Sequence, residues 1–194
     1  MNSLTSLEKG EHIFAIYPDQ STKIYDLISF IKTGIEKNEL VFIMIDSLTK
    51  EEIHIIIETE SDFTIKSKEI TDRNNSIIIT TTKEWFYPNG SFNTKRILNE
   101  WEKIFQKAKE ENKEGLRCFI DVSSFFIEGL ENGLVAYDKM LEEEFEYPFI
   151  SVYAYKIDDI RKMTRQQLAM LYLNHGMIWV NNQSMAEISI IDLI

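Results

Sequence analysis

Six short apolar runs, alternating with stretches of helical spacing at least five times, constrain this chain more than any other feature. They are His12–Tyr17, Leu40–Ile45, Ser76–Thr82, Leu116–Asp121, Phe149–Tyr155 and Met177–Val180. Leu40-Val41-Phe42-Ile43-Met44-Ile45 is apolar at every position, so both faces of that strand need cover, as in a parallel sheet between two layers of helices. Ile24, Leu27, Ile28, Ile31 and Ile35 share one helical face, and Gly34 with Lys37 and Asn38 is expected to end that helix. Thr49 and Glu52 have the spacing of a capping box and open a second helix. Ile97, Leu98, Trp101, Ile104, Phe105 and Ala108 mark a third, and Leu134–Phe145 and Ile157–Leu173 are expected to be helical throughout. The expected fold class is α/β, with a mostly parallel central sheet flanked by helices. Ligands of such sheets bind at the carboxyl ends of the strands, here near Tyr17, Asp46, Thr82, Asp121 and Tyr155.

No linker interrupts the alternation, so residues 1–194 are expected to form one domain with its core at about 10–180 and the tail 181–194 packed on it. Ser61–Glu69 reads as an extended connector. Trp85–Phe92 contains Tyr87-Pro88-Asn89-Gly90, and is expected to be a reversing loop whose aromatics either form a mobile cover over the ligand edge or pack permanently on the following helix beside Trp101.

Charge narrows the possible partners. A formal charge of -11 and a pI near 4.8 disfavour nucleic acid and anionic membranes. Met1–Glu11 has no apolar run, and no segment is long enough to span a bilayer, so a cytoplasmic location is expected. Cys118 is the only cysteine, which excludes an internal disulfide and a cysteine-built zinc site. No metal and no cofactor are expected.

The first strand-to-helix loop, Pro18-Asp19-Gln20-Ser21-Thr22-Lys23, has none of the glycines that let backbone N–H groups wrap a phosphate. Lys23 follows a hydroxyl residue instead of preceding one, so the metal-binding Ser or Thr is missing too. Lys23 is expected on the solvent-facing surface of its helix, the alternative being contact with an anion. Asp121 ends a strand where nucleotide enzymes keep a magnesium-directed acid; without a phosphate loop the partner of such an acid is missing, and Asp121 is expected to cap the turn at Ser123 or Ser124, or to meet a ligand. His12, His54 and His175 show no metal-binding spacing, and Ser123 and Ser124 lack a nucleophile elbow. No catalytic residue is assigned. Tyr17, Trp85, Phe86, Tyr87, Phe125, Phe126, Tyr153 and Tyr155 collect at predicted strand ends and can line an apolar pocket.

In their order these pieces resemble the MEDS family, the methanogen and methylotroph sensory domains. The resemblance rests on His12-Ile13-Phe14-Ala15-Ile16-Tyr17, Phe30 to Gly34 with Glu39, Glu84-Trp85-Phe86-Tyr87-Pro88-Asn89-Gly90-Ser91-Phe92 and Gly115-Leu116-Arg117. Tyr137-Asp138, Tyr153-Ala154-Tyr155 and Asn174-His175 complete it. It implies a degenerate RecA/KaiC-like three-layer core without its phosphate loop, in a domain that senses small molecules, hydrocarbon derivatives among them. Asp121 stands where the family usually has Glu, and Lys156 where it has an acid.

The reading is therefore a stand-alone sensory domain, not an enzyme. It would bind a small ligand and relay to a partner regulator or kinase in trans; side-by-side packing of related cores suggests a homodimer. His12, Tyr17, Trp85, Tyr87, Asp121, Tyr155 and His175 are the candidate ligand-binding residues. Its rivals are a ligand-free interaction module and a cryptic enzyme pairing Asp121 with a histidine.

Overall fold

A computed structural model describes residues 4–59, 76–144, 149–175, 177–180 and 183–184. Seven strands form one sheet: β1 (His12–Tyr17), β2 (Leu40–Met44), β3 (Ile77–Thr80), β4 (Leu116–Asp121), β5 (Phe149–Lys156), β6 (Met177–Val180) and β7 (Gln183–Ser184). Their order is β3-β2-β4-β5-β1-β6-β7, parallel throughout except for β7, which runs antiparallel to β6. The described helices are α1 (Gln20–Glu36), α2 (Lys50–Thr59), α3 (Thr82–Phe86), α4 (Thr94–Glu110), α5 (Ser123–Ile127), α6 (Glu131–Glu144), α7 (Ile157–Ile160) and α8 (Arg165–Asn174). This is the expected α/β architecture.

Alternation along each strand divides the core into two layers. Phe14, Phe42, Cys118, Ile120, Tyr153 and Tyr155 pack with α3, α4, α5, α6 and α8 on one face. Ile13, Ala15, Tyr17, Val41, Ile43, Phe119 and Val152 pack with α1, α2 and an N-terminal 3-10 turn on the other. Every residue of β2 and β4 is buried, which is why their sequences carry no polar alternation.

Helix α1 ends at the expected place, stopping at Glu36 with Lys37 as its C-cap and Asn38 taking the left-handed turn (φ 54°), while Gly34 lies inside it. Gly34 is needed for contact: a Cβ there would stand 2.5 Å from Val41 Cγ2 and 3.1 Å from Arg117 Cδ. The helix expected over Ile157–Leu173 is two helices. Thr164 caps the second, its Oγ1 accepting from Gln167 N while Gln167 Oε1 accepts from Thr164 N.

The loop expected at Trp85–Phe92 begins as helix α3, closed by a Thr81–Glu84 capping box. Its aromatics are not exposed: Trp85, Phe86 and Tyr87 are all buried, and Trp85 sits edge-on to Phe42 and Trp101 at 4.7 and 5.3 Å. Apolar burial against α4 outweighs the turn chemistry of Pro88-Asn89-Gly90 here. The connector Ser61–Glu69, and the tail apart from β7, lie outside the described residues.

Candidate functional site

At the carboxyl edge, Asp19 caps α1: its Oδ1 accepts from Thr22 N at 2.8 Å and Thr22 Oγ1 at 3.0 Å. One turn later Lys23 does not reach solvent, contrary to expectation. It is 1% exposed, and its Nζ donates to Asp121 Oδ2 at 2.5 Å, with Asp121 equally buried. The sheet order explains this: β4 and β1 both flank β5, and Asp121 and Lys23 meet on the α1 side. The other oxygen of Asp121 does cap the next turn, with Oδ1 accepting from Ser123 N at 3.0 Å. Ser47 Oγ donates to Oδ2 at 3.4 Å and Gln20 Nε2 donates to Ser47 Oγ at 2.7 Å. Thr82 Oγ1 donates to the Asp121 carbonyl at 2.7 Å, joining α3 to β4.

Both anion-binding elements of this loop are thus occupied by the chain's own carboxylates. Asp19 takes the helix N-terminus and Asp121 takes the lysine ammonium. A bound phosphate would have to displace a fully desolvated ion pair.

The seven candidate residues do not converge on one chamber. Tyr17 and Asp121 face α1, with Tyr17 beside Asp26, whose Oδ2 accepts from Trp179 Nε1 at 3.0 Å. Burial raises the pKa of both Tyr17 and Asp26, and the Asp26 carboxylate raises that of Tyr17 further. Trp85, Tyr87 and Tyr155 lie on the opposite face. His12 and His175 are at the amino edge: His12 opens β1, and His175 immediately precedes the start of β6. The exposed His54 lies apart from all of them.

The matched motif residues assemble elsewhere than the carboxyl edge alone. Glu39 and Arg117 form a second buried pair, Nε donating to Glu39 Oε2 at 2.7 Å with the guanidinium 4.6 Å from the Phe30 ring centre. Tyr137, Asp138, Tyr153 and His175 make a polar cluster inside the apolar core. There Trp101 Nε1 donates to Tyr137 Oη, and His175 Nδ1 lies 2.8 Å from the Leu171 carbonyl and 3.3 Å from Asp138 Oδ2. The His175 ring is edge-on to Tyr153 at 4.9 Å. Burial raises the pKa of Tyr137 and Tyr153 well above the usual phenol value, so both remain hydrogen-bond donors at neutral pH. Tyr155 packs at 4.2 Å on Phe14. Among the described residues no group of His, Cys, Asp and Glu side chains could hold a metal ion.

His12 provides a pH test. Its Nδ1 lies 2.7 Å from Ser151 Oγ, and burial, reinforced by His175, lowers its pKa to about 4. The unfolded chain binds this proton near pH 6.5 and the folded chain only near 4. Stability from the neutral ring is therefore complete above 6.5 and is lost as pH falls from 6.5 to 4. A His12→Gln variant should lack a destabilisation on the order of 3 kcal/mol across that window, read as the difference between the two proteins' urea-unfolding profiles against pH.

Comparisons with known proteins bear on the family and the fold. The family model described as "MEDS: MEthanogen/methylotroph, DcmR Sensory domain" matches residues 11–175. Among solved structures, the fold is similar to the KaiC-like protein PH0186 from the hyperthermophilic archaeon Pyrococcus horikoshii OT3. That likeness has a TM-score of 0.58 at 14% identity, covering 93% of this chain and 75% of that one. It is also similar to the flagellar accessory protein FlaH from Methanocaldococcus jannaschii, with a TM-score of 0.53 at 10% identity, covering 90% of this chain and 72% of that one. At such identities these likenesses establish the fold alone. No curated protein matches.

Proposed function

The chain belongs to the MEDS family of sensory domains, and from that premise we propose that it senses a small molecule without turning over nucleotide and relays its occupancy to a partner protein. The observation that carries this reading is the buried Lys23–Asp121 pair. A RecA-like core uses a loop lysine and a strand-end acid on phosphates and magnesium; here each is consumed by the other. The cryptic-enzyme alternative needs a histidine within hydrogen-bond reach of Asp121. Instead, Asp121 faces α1 while His12 and His175 contact Phe149, Phe14 and Tyr153 on the other face.

The sensory reading is favoured over a ligand-free interaction module by the polar groups held within the aromatic layer. Hydroxyls at Tyr87, Tyr153 and Tyr155 are buried without a well-formed hydrogen bond, an arrangement that a purely structural core avoids. Relay requires an exposed surface, and Ile127 and Leu173, each 78% exposed, offer apolar contacts beside α5 and α8.

Native mass spectrometry of freshly purified protein tests the reading. A small non-nucleotide molecule should be retained at one per chain. Retention of ATP or ADP in that stoichiometry would contradict it.

A further inference from the structure

Helices α3 and α5 meet at the carboxyl edge of the sheet, beyond β3 and β4. Their contact is aromatic: Phe86 lies 4.9 Å and Tyr87 5.6 Å from Phe125, both edge-on. Three polar groups of these two short segments end in this layer without a hydrogen bond, namely Tyr87 Oη, Ser124 Oγ and Trp85 Nε1. Their residues are 1%, 6% and 9% exposed. Folded proteins pair nearly all their buried polar groups, so a concentration of unpaired ones points to a missing guest. The Tyr87 and Ser124 hydroxyls face each other within hydrogen-bonding reach, close enough for Ser124 to lower the Tyr87 pKa though short of normal bond geometry, so at least one O–H of the two is left without an acceptor.

The surroundings restrict that guest. Lys83 on α3 and Glu128 after α5 form an ion pair at 2.8 Å, with side chains 58% and 40% exposed. An exposed pair of this kind is weak and opens readily. Its two charges compensate each other, while the carboxylates of Asp46 and Glu128 join burial in pushing the Tyr87 phenol up to about 12. The phenol therefore remains a donor at physiological pH, and the nearby carboxylates disfavour an anion. A cation would lose its hydration to reach hydroxyls and aromatic rings, with no buried carboxylate described at that contact.

We propose that the α3–α5 contact is a binding site for a small uncharged molecule bearing a hydrogen-bond acceptor, such as an alcohol, ketone or amide, held by the Tyr87 and Ser124 hydroxyls beneath the Lys83–Glu128 pair. The inference rests on the small-ligand reading above and gives it an address. Binding there would separate Lys83 from Glu128 and shift α5, whose last residue is the exposed Ile127, so the site adjoins a surface able to report occupancy.

The test is a two-dimensional NMR titration of the full chain with acetamide and with 2-propanol, with acetate and methylammonium as charged counterparts. The neutral probes should shift the Trp85 indole and the backbone amides of residues 83–87 and 123–128 saturably. The charged ones should not. Tyr87→Phe/Ser124→Ala removes two hydroxyls whose only near neighbour is each other; it should fold and weaken acetamide binding at least tenfold, with Tyr87→Phe alone serving if the double variant does not fold. Non-saturating shifts, saturable shifts unchanged in the variant, or an acetamide-soaked crystal with only ordered water beside Tyr87 would each overturn the site. A molecule retained in native mass spectra equally by wild type and variant would overturn this address while leaving the small-ligand reading standing. No retained molecule together with no saturable shift would remove both.

Discussion

Replacing Lys23 by Met should destabilise the domain by about 3–5 kcal/mol, the usual cost of stranding one member of a buried ion pair. The side chains of Lys23 and Asp121 are each 1% exposed, so water cannot solvate the carboxylate that remains. Ser123 N and Ser47 Oγ still donate to it, but neither carries a charge. The double variant Lys23→Met/Asp121→Leu should recover most of the loss, because exchanging a whole buried pair for apolar side chains is often neutral or stabilising. Urea unfolding of the two single variants and the double variant gives the coupling directly. A Lys23→Met loss below about 1 kcal/mol would place the pair in the range of solvated surface bridges. The stake is large against a net domain stability of about 5–15 kcal/mol.

Phe119→Ala should cost a similar amount, about 3–5 kcal/mol. Phe119 is fully buried in β4, the strand between β2 and β5, and meets Phe30 of α1 edge-on at 5.8 Å. Strands on both sides of β4 and α1 above it limit how far the structure can collapse into the space left behind. The same unfolding experiment reads the result, and a loss below about 1 kcal/mol would mean that this face of β4 is not covered as described.

That strand also shows what was legible in the sequence. Leu116–Asp121 is buried on both faces, so its apolar run Cys118-Phe119-Ile120 announces a central parallel strand without any knowledge of its neighbours. The strand-to-helix alternation likewise specifies the layers. Arg117 is the exception within β4: its charge argues for solvent, yet Glu39, Phe30 and the Leu4 carbonyl receive it inside the core.

Local chemistry misled where a distant partner decides. Lys23 in a first helical turn looks exposed because a lysine there is ordinarily solvated; its partner stands 98 positions later and arrives only through the sheet order. At Trp85–Phe92 the turn signal of Pro88-Asn89-Gly90 is real, but Thr81 and Glu84 already have capping-box spacing and begin a helix before it. Thr164 and Gln167 likewise mark the start of α8 within what reads as one long amphipathic run. The candidate site was least legible because every aromatic near a strand end looks alike in one dimension. Pleat parity then sends Tyr17 to one face and Tyr155 to the other, and the strand direction puts His12 at the edge opposite Asp121.

The central claim is that the groups which would handle a nucleotide in this fold are spent on each other. Titration calorimetry of the wild-type chain with magnesium–ATP, followed by a phosphate-release assay on the same sample, tests it most directly. No saturable heat of binding and no release above the buffer rate are expected. Saturable one-to-one binding, or magnesium-dependent hydrolysis, would show that Asp121 releases Lys23 to a phosphate and would contradict it.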